Sequence, residues 1–191
     1  MTKGPLELVG QVAEMLDELG IAYALGGSLA SSLVGEPRST VDVDIAIKLE
    51  NHATALLERA TAEFYVPIEA ARAAIDAQSS FNLVDTAHGL KVDLFVLGDG
   101  LLDRMQIERR MKVTIPGLVD RIWVTSPEDQ VLRKLDWYRS TEHESERQWR
   151  DVVGILRVHG DAMDRGYLDG TARQLDLGAL LDEATNAAHL D

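Results

Sequence analysis

The sequence predicts an α/β (α+β) fold, with a strand-and-helix nucleus over residues 1–124 and a helical region over 125–191 packed on that core. Three observations predict it. Residues 41–49 and 90–97 alternate apolar and polar side chains with the period of two that marks half-buried strands. Before and between them, apolar residues recur at helical spacing. At Ser126-Pro127-Glu128-Asp129 the composition shifts to a helix start, with serine at the cap, proline in the first turn and two acids beside the positive end of the helix dipole.

The elements follow in chain order. Leu8, Val12, Met15 and Leu19, joined by Val9 and Leu16, form the apolar face of a first helix, and Gly20 stands where a C-terminal cap belongs. IAYAL (21–25) reads as a short buried strand, and LASSLVG, after Gly26-Gly27-Ser28, as a short helix of small residues ending at Gly35. In VDVDIAIKL (41–49), Val41, Val43, Ile45 and Ile47 face one way and Asp42, Asp44 and Ala46 the other. Residues 53–64 and 67–77 are helical in pattern, the second with Pro67 near its start. FNLVDT (81–86), the turn Ala87-His88-Gly89 and LKVDLFVL (90–97) make a β-hairpin; Leu90, Val92, Leu94 and Val96 share one face, and Lys91, Asp93 and Phe95 the other. A short helix or strand follows residue 101, then VTIPG (113–117) and RIWVTS (121–126) as short strands. Val131, Leu132, Leu135 and Tyr138 mark the first C-terminal helix, Trp149, Val152, Val153 and Leu156 the second, and one or two small helices follow Gly160.

Composition bounds the function. A chain of 191 residues, 46% hydrophobic and 27% charged, buries a core of its own and is not a disordered segment. The absence of cysteine excludes thiol catalysis, cysteine-ligated zinc and disulfides. The longest uncharged run, Leu19 to Gly35, is shorter than a membrane span and broken by glycines and serines, and the first ten residues lack the apolar core of a signal peptide. A soluble, cytoplasmic protein with no membrane partner is the expectation. Nineteen Lys and Arg against 32 Asp and Glu leave a formal charge of −13. Such a surface repels phosphate backbones at long range, so a nucleic-acid partner would need a local basic patch.

Three features carry chemistry because they occur together. Gly26-Gly27-Ser28 lies between a strand and a helix, where glycines let the backbone approach a ligand and the helix amides, with the Ser28 hydroxyl, point at an anion. Asp42 and Asp44 share one face of an apolar strand, and two neighbouring carboxylates repel unless a cation lies between them. Hard oxygen ligands of this kind suit Mg²⁺ or Mn²⁺. Asp93 is a third carboxylate in an apolar strand, and pairing of that strand beside 41–49 brings it onto the same face. Three carboxylates on adjacent strands beside a phosphate-binding turn have the makings of a two-metal phosphoryl-transfer site.

Residues 26–47, GGSLASSLVGEPRSTVDVDIAI, resemble the signature of the DNA-polymerase-β-like nucleotidyltransferase superfamily, and the small bacterial members, including the AbiEii-type toxins of toxin–antitoxin systems, are the nearest in pattern. The resemblance covers positions 21–97. It implies a polymerase-β-like nucleotidyltransferase core with a mixed sheet flanked by helices, and transfer of a nucleoside monophosphate from a nucleoside triphosphate to an acceptor hydroxyl with release of pyrophosphate. It further implies that Gly26, Gly27 and Ser28 hold the triphosphate, that Asp42 and Asp44 ligate two ions of Mg²⁺ or Mn²⁺, and that Asp93 ligates one of them and helps deprotonate the attacking hydroxyl. Arg38 and Thr40, in the R-x-T that precedes the aspartates, and Lys134, on the edge of an apolar helical arc, are implied nucleotide-binding residues. The acceptor stays open between a tRNA or other RNA end, a protein hydroxyl and a small molecule, and a cognate antitoxin is an implied partner.

Each of these residues has a plainer alternative. Arg38 can be a surface arginine after Pro37, and Lys134 can lay its apolar stem against the core. In SERQWRD, Trp149 reads as core, while Asp151 reads as part of a solvated helix face rather than as a group positioning Lys134 or a nucleotide. Arg104, Arg109, Arg110 and Lys112 form the one concentrated basic stretch; it is either an acceptor-binding patch or, lacking interleaved aromatics, an ordinary exposed face. The five histidines show no ligand spacing. The rival to an enzyme is a non-catalytic nucleotide- or metal-binding regulatory or interaction protein that retains the fold.

Overall fold

The computed structural model describes residues 3–34, 42–115, 117–118, 121–141 and 145–190. Arg38 and Thr40 lie outside the described residues. The chain divides into two compact units, one made of Met1–Leu29 and Thr40–Thr125, the other of Ala30–Ser39 and Ser126–Asp191.

The first unit is built on a six-stranded mixed sheet in the order β3-β4-β2-β1-β6-β5. Its strands are β1 (Ala22–Leu25), β2 (Val43–Lys48), β3 (Ser80–Asp85), β4 (Leu90–Val96), β5 (Met111–Val113) and β6 (Ile122–Val124). β2 runs parallel to β4 and β1 parallel to β6, while the β1–β2, β3–β4 and β5–β6 pairs are antiparallel. The alternation read in the sequence decides which side chains go inward. Val43, Ile45 and Ile47 of β2 sit level with Val92, Leu94 and Val96 of β4, and Phe81 and Leu83 of β3 continue two of these rows. All eight are buried, each contributing roughly 1.5–3 kcal/mol of hydrophobic stabilisation.

Helix α1 (Pro5–Glu18) touches β1 and β4 and buries Leu8, Val9, Val12, Ala13, Met15 and Leu16. It ends at Gly20, whose φ of +68° lets the Gly20 amide reach Asp17 O at 3.1 Å and the Ile21 amide reach Leu16 O at 2.9 Å. Helices α2 (Gly27–Val34), α3 (Ala53–Thr61), α4 (Ile68–Asp76) and α5 (Leu101–Glu108) follow, and the division between the units falls within α2. The strand expected at VTIPG lies earlier, at Met111–Val113, because those residues are the ones in register with Val124–Ile122 of β6.

The second unit is helical: α6 (Pro127–Ser140), α7 (Glu146–His159), a short 3₁₀ turn, α8 (Arg165–Gln174) and α9 (Gly178–Leu190). The part after Gly160 thus holds two regular helices. Ser126 caps α6, accepting from the Asp129 amide at 3.2 Å and donating its hydroxyl to Asp129 Oδ2 at 2.7 Å. Asp129 is fully buried, and the Tyr167 hydroxyl from α8 donates to its other oxygen at 2.5 Å. α7 packs on both α6 and α9.

Candidate active site

The polar face of the sheet carries two of the sequence-predicted residues, Asp44 and Asp93. β2 and β4 are parallel neighbours in a register that sets Asp44 opposite Asp93. Residues level across a sheet share a face, so these two carboxylates stand side by side. Asp42 precedes β2, two positions before Asp44. On the other flank, the β3–β4 register sets Asn82 opposite Asp93, and the Asn82 side-chain amide donates to Asp93 Oδ1. The row therefore runs Asn82, Asp93, Asp44 across three strands.

At its far end lies the glycine turn. The Gly26 amide donates to Asp44 O at 2.8 Å, so β1 is still paired to β2 where the turn begins. Gly27 has φ +62°, and a Cβ there would fall 1.8 Å from Asp44 Oδ2 and 2.8 Å from Asp44 Cβ. Only glycine permits both the left-handed backbone and this approach. α2 starts at Gly27, with Ser28 buried in its first turn, so a helix N-terminus is set against the aspartate row. The end of β1 is held from β6 and α5. The Thr125 amide and hydroxyl both donate to Leu25 O, at 3.0 and 3.1 Å, and buried Gln106 donates to the Thr125 hydroxyl at 3.0 Å. Sequence reading singled out neither Gln106 nor Thr125, since nothing local in a short helix and a strand end announces a shared partner far away in the chain.

A lysine faces the row. Lys91, two residues before Asp93 on β4, places Nζ 3.0 Å from Asp93 Oδ2 and 3.3 Å from Oδ1. The Asp93 carboxylate holds the Lys91 ammonium above its ordinary pKa, against the opposing effect of desolvation, and Asp42 and Asp44 add to the effect through their charge. The alternation in LKVDLFVL put Lys91 and Asp93 on one face; their role toward each other appears only with the geometry.

In the second unit, Lys134 donates to Asp151 Oδ2 at 2.8 Å and to Gln148 Oε1 at 3.1 Å. The Lys134 and Asp151 side chains are 8% and 9% exposed, which corrects the expectation of a solvated face at Asp151: the pair spans α6 and α7 from within. Trp149 is half-buried against Tyr138, with ring centroids 5.3 Å apart. The basic stretch gains from the fold the aromatic it lacks in sequence. Arg110 lies 4.5 Å and Lys112 5.3 Å from the Trp123 ring of β6, and burial draws the Arg110 guanidinium below its ordinary pKa. His88 sits 3.0 Å from Asp85 at the tip of the β3–β4 hairpin.

The resemblance implies divalent cations at Asp42, Asp44 and Asp93. As the side chains stand, no group of three or more His, Asp or Glu among the described residues is disposed to hold a metal ion, and both oxygens of Asp93 are engaged by Lys91 and Asn82. The donor chemistry suits a hard cation: Asp44 and Asp93 are level on the interior strands β2 and β4, Asp42 lies just before β2, and the charge of all three acts on the Lys91 ammonium.

No family model and no curated protein matches the chain. Solved structures do. An antigenic nucleotidyltransferase-like protein from Paracoccidioides brasiliensis is 20% identical over 96% of this chain and 92% of its own, with a TM-score of 0.57. The antibiotic-resistance factor ANT(2'')-Ia is 12% identical over 98% of this chain and 100% of its own, with a TM-score of 0.61. Among the described residues no helix is long and apolar enough to cross a membrane. The likeness to these proteins, together with the six-stranded mixed sheet, gives this chain a nucleotidyltransferase-like fold.

Proposed function

We propose that this protein is a metal-dependent nucleotidyltransferase, moving a nucleoside monophosphate from a nucleoside triphosphate to an acceptor hydroxyl. The observation that carries the reading is the juxtaposition of Asp44 and Asp93 in register, with the Gly27 backbone against Asp44. In the reaction, the acceptor oxygen forms a bond to the α-phosphorus, the bond from that phosphorus to the bridging oxygen of the β-phosphate breaks, and pyrophosphate leaves. The Gly27 and Ser28 end of α2 binds the triphosphate through amide and hydroxyl donors. Asp93 receives the proton of the attacking hydroxyl, and Asn82 holds that carboxylate in place. Asp42, Asp44 and Asp93 would hold two ions of Mg²⁺ or Mn²⁺, which would neutralise charge at the α-phosphate and on the leaving pyrophosphate.

The acceptor is an RNA end, a protein hydroxyl or a small molecule. A net charge of −13 disfavours long RNA, and one protein of the same fold is an antibiotic-resistance factor, so small-molecule hydroxyls belong in the assay. The test incubates the protein with each α-labelled nucleoside triphosphate, Mg²⁺ or Mn²⁺, and host lysate or a panel of small polyols and amino sugars. Label should move to one acceptor class with the native chain and to none with the Asp42→Ala/Asp44→Ala double variant. Equal labelling by both would reject the assignment. Label on a host RNA or protein would bring the toxin role and its antitoxin into the same reading. A melting shift with nucleotide and Mg²⁺ but no label on any acceptor would favour the non-catalytic regulator.

A further inference from the structure

We propose that Lys91 is a built-in counter-cation of the carboxylate row, holding with its ammonium the place that a divalent cation takes and withdrawing to solvent when one binds. The inference rests on the metal-holding role given above to Asp42, Asp44 and Asp93. It starts from placement. Lys91 and Asp93 are two apart on β4 and so share a face, and Nζ lies 3.0 and 3.3 Å from the two Asp93 oxygens. Asn82 holds Asp93 from β3, on the side away from Asp44. The ammonium therefore meets a carboxylate fixed on its flank, with Asp44 level on the next strand and Asp42 two residues beyond.

Carboxylates this close disfavour one another's charge, and a cation among them removes that penalty. The β2–β4 register, which sets Val43 level with Val92 and Asp44 level with Asp93, puts Lys91 at the level of the residue before β2, Asp42. Two further facts make the ammonium displaceable. Its side chain is 51% exposed, against 8% for Lys134 in its buried pair, so water is at hand to receive it. Its stem has four flexible carbons, and an exposed lysine–aspartate pair is a weak contact. A doubly charged ion with oxygen-ligand preference outcompetes such an ammonium at the same donors. The metal-free protein thereby keeps its row of acids without the full cost of their repulsion, and Lys91 lowers apparent metal affinity because it must leave.

The test measures Mn²⁺ binding by the loss of the free-ion electron paramagnetic resonance signal, on the full chain without nucleotide. Lys91→Met should bind Mn²⁺ more tightly, by about threefold or more, and should melt at a lower temperature than the native chain when metal is absent. Lys91→Gln should do the same, which keeps the test standing where the methionine variant folds poorly. Lys48→Met removes the same charge from an ion pair with Asp99, four residues along β2 from Asp44, and should leave Mn²⁺ affinity near native. Equal or weaker binding by Lys91→Met and Lys91→Gln, with the native chain binding Mn²⁺ and Asp44→Asn losing it, would overturn the counter-cation role and leave the metal reading intact. No binding by the native chain or either Lys91 variant would overturn both.

Discussion

Asp44 lies against Gly27 on the side where any other residue would carry its Cβ: a Cβ there would fall 1.8 Å from Asp44 Oδ2. The Gly26 amide, bonded to Asp44 O at 2.8 Å, holds the two segments together one residue earlier. The turn that binds phosphate in the proposed reaction and the strand that carries the acids are thus one packed unit.

Gly27→Ala should therefore cost more than backbone strain. Gly20 serves as the control, because its φ of +68° is similar and nothing lies within 4 Å of its missing Cβ. Gly20→Ala should lose about 1–2 kcal/mol, the cost of an L-residue in the left-handed region. Gly27→Ala should lose about 1–3 kcal/mol beyond that from overpacking against Asp44, together with the melting shift produced by nucleotide and Mg²⁺. Denaturant titrations of the two variants check it; equal losses would mean that Asp44 yields freely.

Asn82→Ala removes the side-chain donor to Asp93. It should lower stability by about 1 kcal/mol, the net worth of one hydrogen bond. In the transfer assay it should lower kcat while leaving the KM for the triphosphate unchanged, because Asn82 positions Asp93 and not the nucleotide. A stability loss with native kcat would make Asn82 a structural residue alone.

Lys134 and Asp151 are both less than a tenth exposed, so each single truncation leaves a buried charge. Lys134→Met or Asp151→Leu alone should destabilise the helical unit by about 3–5 kcal/mol, and the double variant should recover much of that loss. Chemical denaturation of the three variants decides it. Additive single losses would show that the two charges are not partners in solution. Any activity lost in Lys134→Met has to be read beside its folding.

Asp85 makes a testable acid dependence. The Lys3 ammonium, 2.8 Å away, holds its carboxyl down at about 2 against the opposing effect of desolvation, with help from the ring and backbone amide of His88. A carboxyl depressed in the folded state contributes stability that is whole above its unfolded value of 3.8 and is lost as pH falls to about 2. The native chain should therefore exceed Asp85→Asn in urea midpoint by a constant margin in neutral and weakly acidic buffers, and that margin should close between pH 3.8 and about 2. A margin independent of pH across that range would remove the ionised Asp85 from the account.

Much of this was legible from local pattern. The period of two assigned β2 and the β3–β4 hairpin, and placed Lys91 with Asp93 and Asp42 with Asp44 on shared faces. The serine, proline and acids at 126–129 marked the start of α6, and Gly20 the end of α1. Where reading failed, the deciding partner was distant in the chain. Asp151 reads as solvated in SERQWRD, because the charges around it are exposed and Lys134 is a helix away. Arg110 and Lys112 stay open between an acceptor-binding patch and an exposed face in the sequence, because Trp123, which both approach, comes from another strand.

The sequence by itself determined the alternation of strands and helices, the glycine turn between β1 and α2, and the strand positions of the aspartates, since each depends on residues close in the chain and on the fixed periods of helix and strand. Tertiary structure alone decided that β2 lies parallel and next to β4 with Asp44 level with Asp93, that Asn82 and Lys91 engage Asp93, and that Gly27 packs on Asp44. A register is a choice among pairings that differ by whole strands of buried side chains. It is settled by the apolar rows Val43–Val92, Ile45–Leu94 and Ile47–Val96 closing together, which no single segment contains.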